Sequence, residues 1–353
     1  MLAAYVDLCK VFDSVNRYTL WRILGLLGVP PKLIDLMSEL YSGTESAVRC
    51  GGTISDLFPV VTGVCQACVL ALTLFSTCID WILRRMSERR SCGASFGNAK
   101  ISDLDFADDA VIFAETSEIL LGALQVVNEE SEPPGLRVSW VNTKIQAFND
   151  ILDAAVLSVP VCVEVVERFT YLGSDIHISA GCESEVKRCL GRAWEVMDSL
   201  DNGVWHCRYL CGRTKVWVFS SLVLPVLLYG CETLTLTRDL RRRINSFGSR
   251  SIWRILGYRW SDFVSNKRLL RETEMRFICI VRERQLRLYG HVAHFPDADP
   301  THQILLAKEP CAWRRPMGQP HASWLQQVDR HLKEMGMGQA SAWEMARRRP
   351  LEY

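Results

Sequence analysis

Residues 104–115 read LDFADDAVIFAE: two short apolar runs separated by the adjacent carboxylates Asp108 and Asp109. The apolar runs and the brief polar break predict a β-hairpin over 101–114, with the acids in its tight turn and buried segments on either side. Adjacent like charges repel and raise each other's pKa unless a cation lies between them. The turn is therefore either a solvated loop or a metal site. A second strand candidate, AAYVDL at 3–8, carries Asp7 near its end. If the two strands are neighbours in one sheet, Asp7, Asp108 and Asp109 converge at one edge. Two Mg2+ ions roughly 3.5–4 Å apart would hold such a cluster, an arrangement that activates a 3′-hydroxyl and stabilises a pyrophosphate leaving group.

The rest of the chain limits the architecture. Helical periodicity is read over 18–30, 31–43, 68–90 and 117–130, two strands around Gly51-Gly52 over 46–62, and two or three strands between the PPGL turn at 133–136 and Tyr171. After Gly181 nearly everything to 349 reads as helix, with breaks near Gly203, Pro225, Gly257 and 296–300. The fold class is α+β followed by all-α, with the shift near 175–181. The longest apolar run, 216–231, is shorter than the ~20 residues a membrane span needs, contains Pro225, and is read as a buried helix. Hydrophobic residues make up 48% of the 353 and charged ones 23%, which excludes a disordered chain. The net charge of +1 hides an asymmetry. Residues 1–137 carry 11 Lys/Arg against 17 Asp/Glu, and residues 238–290 carry 14 against 5. An acidic front and a basic back keep a polyanionic partner open. The 14 cysteines, with Asp7 and Lys10 interrupting the first ten residues, are read as reduced thiols of an intracellular protein, nuclear or cytoplasmic and not secreted.

Five segments in order carry a family likeness: YVDLCKVFDSVNR (5–17), GVCQACVLALTLF (63–75), LDFADDAVIFAE (104–115), GLRVSWVNTK (135–144) and FTYLGSDI (169–176). Together they resemble the palm motifs of reverse transcriptases, most closely those of non-LTR (LINE-type) retrotransposons. LPVLLYGCETLTLT (224–237) and RQLRLYGHVAHFPDADP (284–300) look like the thumb and C-terminal region of the same proteins. The resemblance implies a right-hand polymerase palm, an antiparallel sheet plus helices, over 1–178. An all-α thumb at 179–260 and a basic helical extension at 261–353 would follow. It implies RNA-directed DNA synthesis with two Mg2+ ions (or Mn2+), an RNA template, a DNA primer and deoxynucleotides as partners, and no membrane.

Residue by residue, the resemblance implies that Asp7 and Asp108 are the principal metal ligands and Asp109 the second acid of the pair. Phe12 matches the aromatic that blocks a ribonucleotide's 2′-hydroxyl; its alternative is a core aromatic. Gln66 matches the glutamine that contacts the incoming nucleotide and template, and otherwise is a solvated loop amide. Tyr171, Leu172 and Gly173 match the primer-grip hairpin; otherwise Gly173 is an ordinary turn glycine. There are also departures. The usual Gly-x-Arg-Gln-Gly is Gly63-Val64-Cys65-Gln66-Ala67 here, so a phosphate-capable guanidinium is replaced by a thiol. The late palm lysine, a proton donor to pyrophosphate, aligns with Asn142, whose amide supplies no proton. Lys144 lies two positions on, on the same strand face but roughly 6–7 Å away, and is the remaining nucleotide-contact candidate. The chain opens almost at the first catalytic strand, so the resemblance implies a 5′-truncated copy lacking most of the fingers. A catalytically inactive nucleic-acid-binding remnant or captured retroelement-derived protein is the alternative function.

Residues 237–260 interleave Arg241, Arg242, Arg243, Arg250 and Arg254 with Phe247, Trp253, Tyr258 and Trp260. Arginines among aromatics suit a nucleic-acid backbone groove with stacking. The competing reading is an amphipathic helix with Leu240, Ile244, Phe247, Ile252 and Leu256 as its core face. Cys65-x2-Cys68, His291-x2-His294 and Cys207-x3-Cys211 with His206 lack the partners of a zinc site and are read as structural.

Overall fold

In the computed structural model, residues 1–65, 68–96, 99–148, 163–179, 181–258, 260–273, 275–307 and 323–348 are described. They form two compact units, Met1–Leu172 and Gly173–Tyr353. The first unit runs β1 (Leu2–Val6), α1 (Val11–Ser14), α2 (Arg17–Leu26), α3 (Pro31–Tyr41), then four two-residue strands, β2 (Glu45–Ser46), β3 (Arg49–Cys50), β4 (Thr53–Ile54) and β5 (Phe58–Pro59). The long α4 (Val69–Arg89) follows, then β6 (Ala94–Phe96), β7 (Ala99–Ile101), β8 (Asp103–Phe106), β9 (Asp109–Ala114), α5 (Ser117–Ser131), β10 (Lys144–Ala147), β11 (Glu164–Val165) and β12 (Arg168–Tyr171).

Five of these strands make one sheet in the order β11-β10-β1-β9-β8. β1 is antiparallel to both neighbours, with Ala4 opposite Ile112 on one side and Ile145 on the other. It is buried along its whole length, which is why LAAYV reads as a continuous apolar run and not as an alternation. Its even residues Ala4 and Val6 face a core built with Ala110, Ile112 and Ile145 and with Phe75, Ile79 and Leu124 from the helices. Its odd residues Ala3 and Tyr5 join Val111, Phe113, Phe169 and Tyr171 on the other face. α4 buries Leu74, Phe75, Cys78, Ile79, Ile82 and Met86, a helical stripe, and its basic end pairs with α5 through Arg89 to Glu130 at 2.9 Å.

The hairpin at 101–114 differs from its expectation in one respect. Its second strand is buried, but Leu104 and Phe106 of β8 are 48% and 63% exposed. Among the described residues β8 is the edge strand of this sheet, and these two apolar side chains meet solvent.

Gly63 has φ +81, and a Cβ there would lie 2.6 Å from the Phe12 carbonyl oxygen. Only glycine lets the 63–64 backbone lie against residues 12–13, where the Val64 amide donates to the Phe12 carbonyl at 2.7 Å.

The second unit opens with β13 (Ser174–His177) and continues through α6 (Glu183–Ser199), α7 (Gly212–Val218), α8 (Leu224–Leu227), α9 (Arg238–Leu256), α10 (Asn266–Glu272), α11 (Phe277–Ala293), α12 (Pro300–Leu306), α13 (Trp324–Glu334) and α14 (Gln339–Arg348). The apolar run at 216–231 is helical to Leu227 but widens to a π-helix at Phe219–Val223, just before Pro225 removes a backbone donor. Among the described residues no helix is long and apolar enough to cross a membrane. The main core of this unit runs from Val186 to Val281 and so crosses the 260/261 boundary expected from the sequence. Buried glutamines tie its far end together: Gln327 donates to Gln285 at 2.9 Å and accepts from the Leu236 amide at 2.9 Å.

Glu185 is 2% exposed and holds the start of this unit. Its carboxylate accepts from the Asp175 amide at 2.7 Å and from Arg188 at 2.6 Å, and Arg188 in turn donates to the Gly173 carbonyl. Replacing Glu185 by Ala strands the Arg188 charge and is expected to cost about 3–5 kcal/mol. Urea denaturation of the variant and the wild type would measure this.

Candidate active site

The sheet register brings the acids together. Val6 pairs with Ala110, so one step further along both strands brings Asp7 level with Asp109. Alternation puts both on the face of Tyr5 and Val111, opposite the helical core. Asp108 sits in the two-residue turn closed by Phe106 and Asp109. That turn forces Ala107 to φ +56, a left-handed conformation that a methyl side chain tolerates better than a branched one.

Asp7 is fixed by the segment that follows Leu136. Its amide donates to Thr143 Oγ1 at 3.3 Å, its carbonyl accepts from the Ser139 amide at 2.8 Å, and Asn142 Nδ2 donates to Asp7 Oδ2 at 3.0 Å. A cavity of about 250 Å³ lies between Asp7, Asp109 and Asn142 and the rings of Tyr5, Phe169 and Tyr171. Tyr5 stacks on Phe169 with centroids 4.0 Å apart and donates to Gln146 at 2.8 Å. Burial, with the neighbouring Tyr171, pushes the Tyr5 phenol up to about 12, so this wall stays protonated.

The electrostatics are one-sided. Burial first, then the charges of Asp108 and Asp7, raises the Asp109 carboxyl above the usual carboxylate range. Burial and the charges of Asp109 and Asp105 raise Tyr171 in the same way. The donors are all oxygen, which suits Mg2+ or Mn2+ and not a thiolate-preferring metal. Among the described residues no three carboxylates, imidazoles or thiols are gathered to enclose an ion. The acids form an open edge, which fits Mg2+, an ion that keeps several waters and takes one or two carboxylates plus substrate phosphates.

Residues 2–176 match the family model described as reverse transcriptase (RNA-dependent DNA polymerase). Residues 2–176 are a reverse transcriptase domain of the non-LTR retrotransposon kind. The chain is 34% identical over 113 residues to a retrovirus-related Pol polyprotein from a type-2 retrotransposable element of Drosophila melanogaster, covering 32% of this chain and 10% of that protein. It is 24% identical over 251 residues to one from a type-1 retrotransposable element of Popillia japonica, covering 67% of this chain and 34% of that protein. A transposon-derived protein of Caenorhabditis elegans is 24% identical over 244 residues, 66% of this chain and 85% of that protein. The chain thus spans a small part of the Pol polyproteins it matches.

The other residues expected to serve the reverse transcriptase are placed unevenly. Phe12 packs on Phe75 at 4.9 Å, against the core. Gln66 lies outside the described residues. Lys144 does not line the cavity; its ammonium is held by Glu164 at 2.8 Å and the Val141 carbonyl at 2.8 Å. Tyr171 lines the cavity, and Leu172 takes φ +46. Gly173 has φ +76, and a Cβ there would lie 3.2 Å from the Tyr229 ring, so its freedom answers a contact inside its own unit.

The arginines of α9 separate too. Arg243 pairs with Asp239 at 2.8 Å and Arg254 with Asp198 at 2.7 Å. Arg241 is half-buried, with Nη2 buried and without a hydrogen bond. Arg242 and Arg250 are exposed. Of the expected core face, Leu240, Ile244, Phe247 and Ile252 are buried, while Leu256 is half-buried and its neighbour Ile255 is buried instead.

Sequence reasoning did not select Tyr5, Phe169, Ser139 or Thr143 for the site. Tyr5 was within reach of it, because the residue two before Asp7 on a strand shares its face. Ser139 and Thr143 act through a loop whose path no local pattern encodes.

The raised Asp109 carboxyl has a signed consequence for stability. The folded state binds this proton more tightly than the unfolded chain, so metal-free stability falls as pH rises through the window above 3.8. Asp109→Asn removes that penalty. Its melting temperature without metal is expected to exceed wild type at neutral pH, with the difference closing as pH falls below the ordinary carboxylate range.

Proposed function

We propose that this domain performs RNA-templated addition of deoxynucleotides to a DNA primer at the edge formed by Asp7 and Asp109, with Asp108 beside it. The observation that carries the reading is that Asp7 and Asp109 line one cavity at the end of the β1–β9 register, where neighbouring carboxylates disfavour the charge on Asp109. Asp7, Asp109 and Asp108 would hold the divalent ions. Those ions supply activation of the 3′-hydroxyl and neutralisation of the leaving pyrophosphate.

The remaining work falls to the protein. Tyr171, followed by Leu172 and Gly173, offers the primer end a rigid aromatic wall with its phenol neutral. Phe12, through its backing on Phe75, would close the sugar side, and Gln66 would meet the nucleotide; Lys144, held by Glu164 and the Val141 carbonyl, would reach it only by giving up that pairing. The helical second unit would act as thumb and C-terminal extension. Arg242 and Arg250, exposed on α9, would contact the nucleic-acid backbone, whereas Arg243 and Arg254 serve internal ion pairs.

One observation favours the second reading, a binding protein without turnover. Among the described residues no lysine or arginine lines the cavity, so a leaving pyrophosphate would take its proton from water.

Primer extension on an RNA template with Mg2+ decides between the two. Asp7→Asn and Asp109→Asn are each expected to lower incorporation at least about a hundredfold. Equal, background incorporation by wild type and both variants would leave only the binding reading.

Binding has its own measurement. Affinity for a primer–template duplex should fall steeply with salt, and Arg242→Ala with Arg250→Ala should reduce the salt slope by about two. A slope unchanged by that pair of substitutions would remove α9 from the interface.

A further inference from the structure

We infer that Asn142 is a positioning residue for Asp7, holding its carboxylate in one orientation with Oδ2 committed and Oδ1 left for a divalent cation. This inference rests on the active-site reading above. The geometry begins with the hydrogen bond from Asn142 Nδ2 to Asp7 Oδ2 at 3.0 Å. A carboxylate only accepts, so the NH2 end of the Asn142 amide must face it. Among the described residues no donor reaches Oδ1 of Asp7.

The backbone holds the Asn142 loop independently of that amide. The Asn142 and Thr143 amides both donate to the Ser139 carbonyl, at 3.1 and 2.8 Å, and the Ser139 amide donates to the Asp7 carbonyl at 2.8 Å. Thr143 is fully buried and accepts from the Asp7 amide. Asn142 itself is exposed, so its side chain is not needed to fill the core. The side chain is thus free to act on Asp7 alone.

The chemistry of the donor matters as much as its place. An amide orients a carboxylate without cancelling its charge. An ammonium at the same position would satisfy Asp7 electrostatically and repel an arriving dication. With Asn142 in place, the charged groups lining the cavity are the acids Asp7 and Asp109. The site gains a fixed ligand and keeps its full negative field, at the cost of having no acid to offer a leaving group.

The test is Mn2+ binding by the full chain, read as free Mn2+ by electron paramagnetic resonance, for wild type, Asn142→Ala, Asn142→Lys and Asp109→Asn. Melting temperatures in chelator are taken in parallel. Asn142→Ala should weaken Mn2+ binding about three- to tenfold, through the lost orientation of one side chain. Asn142→Lys should weaken it more than tenfold. Chelator melting temperatures of Asn142→Ala and wild type should agree.

If Asn142→Ala and Asn142→Lys bind as wild type does while Asp109→Asn does not, Asn142 does not position Asp7. A loss of binding in Asn142→Ala matched by a large fall in its chelator melting temperature would likewise overturn the inference in favour of a structural role. If wild type binds no Mn2+, or Asp109→Asn binds it equally well, the carboxylate edge is not a metal site, and the reading on which this inference stands falls with it.

Discussion

The carboxylate edge exists because β1 is paired on both sides. One neighbour, β9, sets Asp7 level with Asp109; the other, β10, is reached through the loop whose Ser139, Asn142 and Thr143 grip Asp7. Slipping either pairing by one residue would turn Ala4 and Val6 out of the core and Asp7 into it, and burying an unpaired charge is prohibitive. The apolar face of the strand therefore enforces the position of the acid at its end. Positions 3 and 4 are alanines and fully buried, which lets the sheet lie close to the layers on both of its faces.

Much of this was legible before any coordinates. The hairpin, the long helix after Cys68 and the change to all-helix beyond Gly181 each follow from a strong local period. What the pattern could not supply was partner choice. Lys144 reads as a free cation near a nucleotide site, but its partner Glu164 is 20 residues away, on the parallel strand β11. Arg243 has Asp239 four residues before it on the same helix, a pairing the sequence spacing allows, whereas the partners of Arg254, Asp198 and Asp201, are more than 50 residues away and appear only in three dimensions. Phe12 shows the converse. Its helical neighbours gave no preference between core and site, and Phe75, from α4, supplies the packing.

Two parts of the altered motifs have a physical meaning once the fold is known. Gly63 keeps the close approach of the 63–64 backbone to residues 12–13. Asn142 is not a mere loss. It sits in a loop held to Asp7 by the Ser139 and Thr143 hydrogen bonds, and its amide contacts the Asp7 carboxylate without adding charge.

The exposed outer strand of the sheet has a consequence for the life of the chain outside any complex. Among the described residues β8 ends the sheet and exposes Leu104 and Phe106, the composition of a strand onto which another strand can add. Asp103 and Asp105 alternate with those two apolar residues. Asp105 is exposed, and a second copy approaching edge to edge would bring its own Asp105 against it. The acidity that crowds the nearby turn would thus also disfavour growth of the sheet beyond the five strands described.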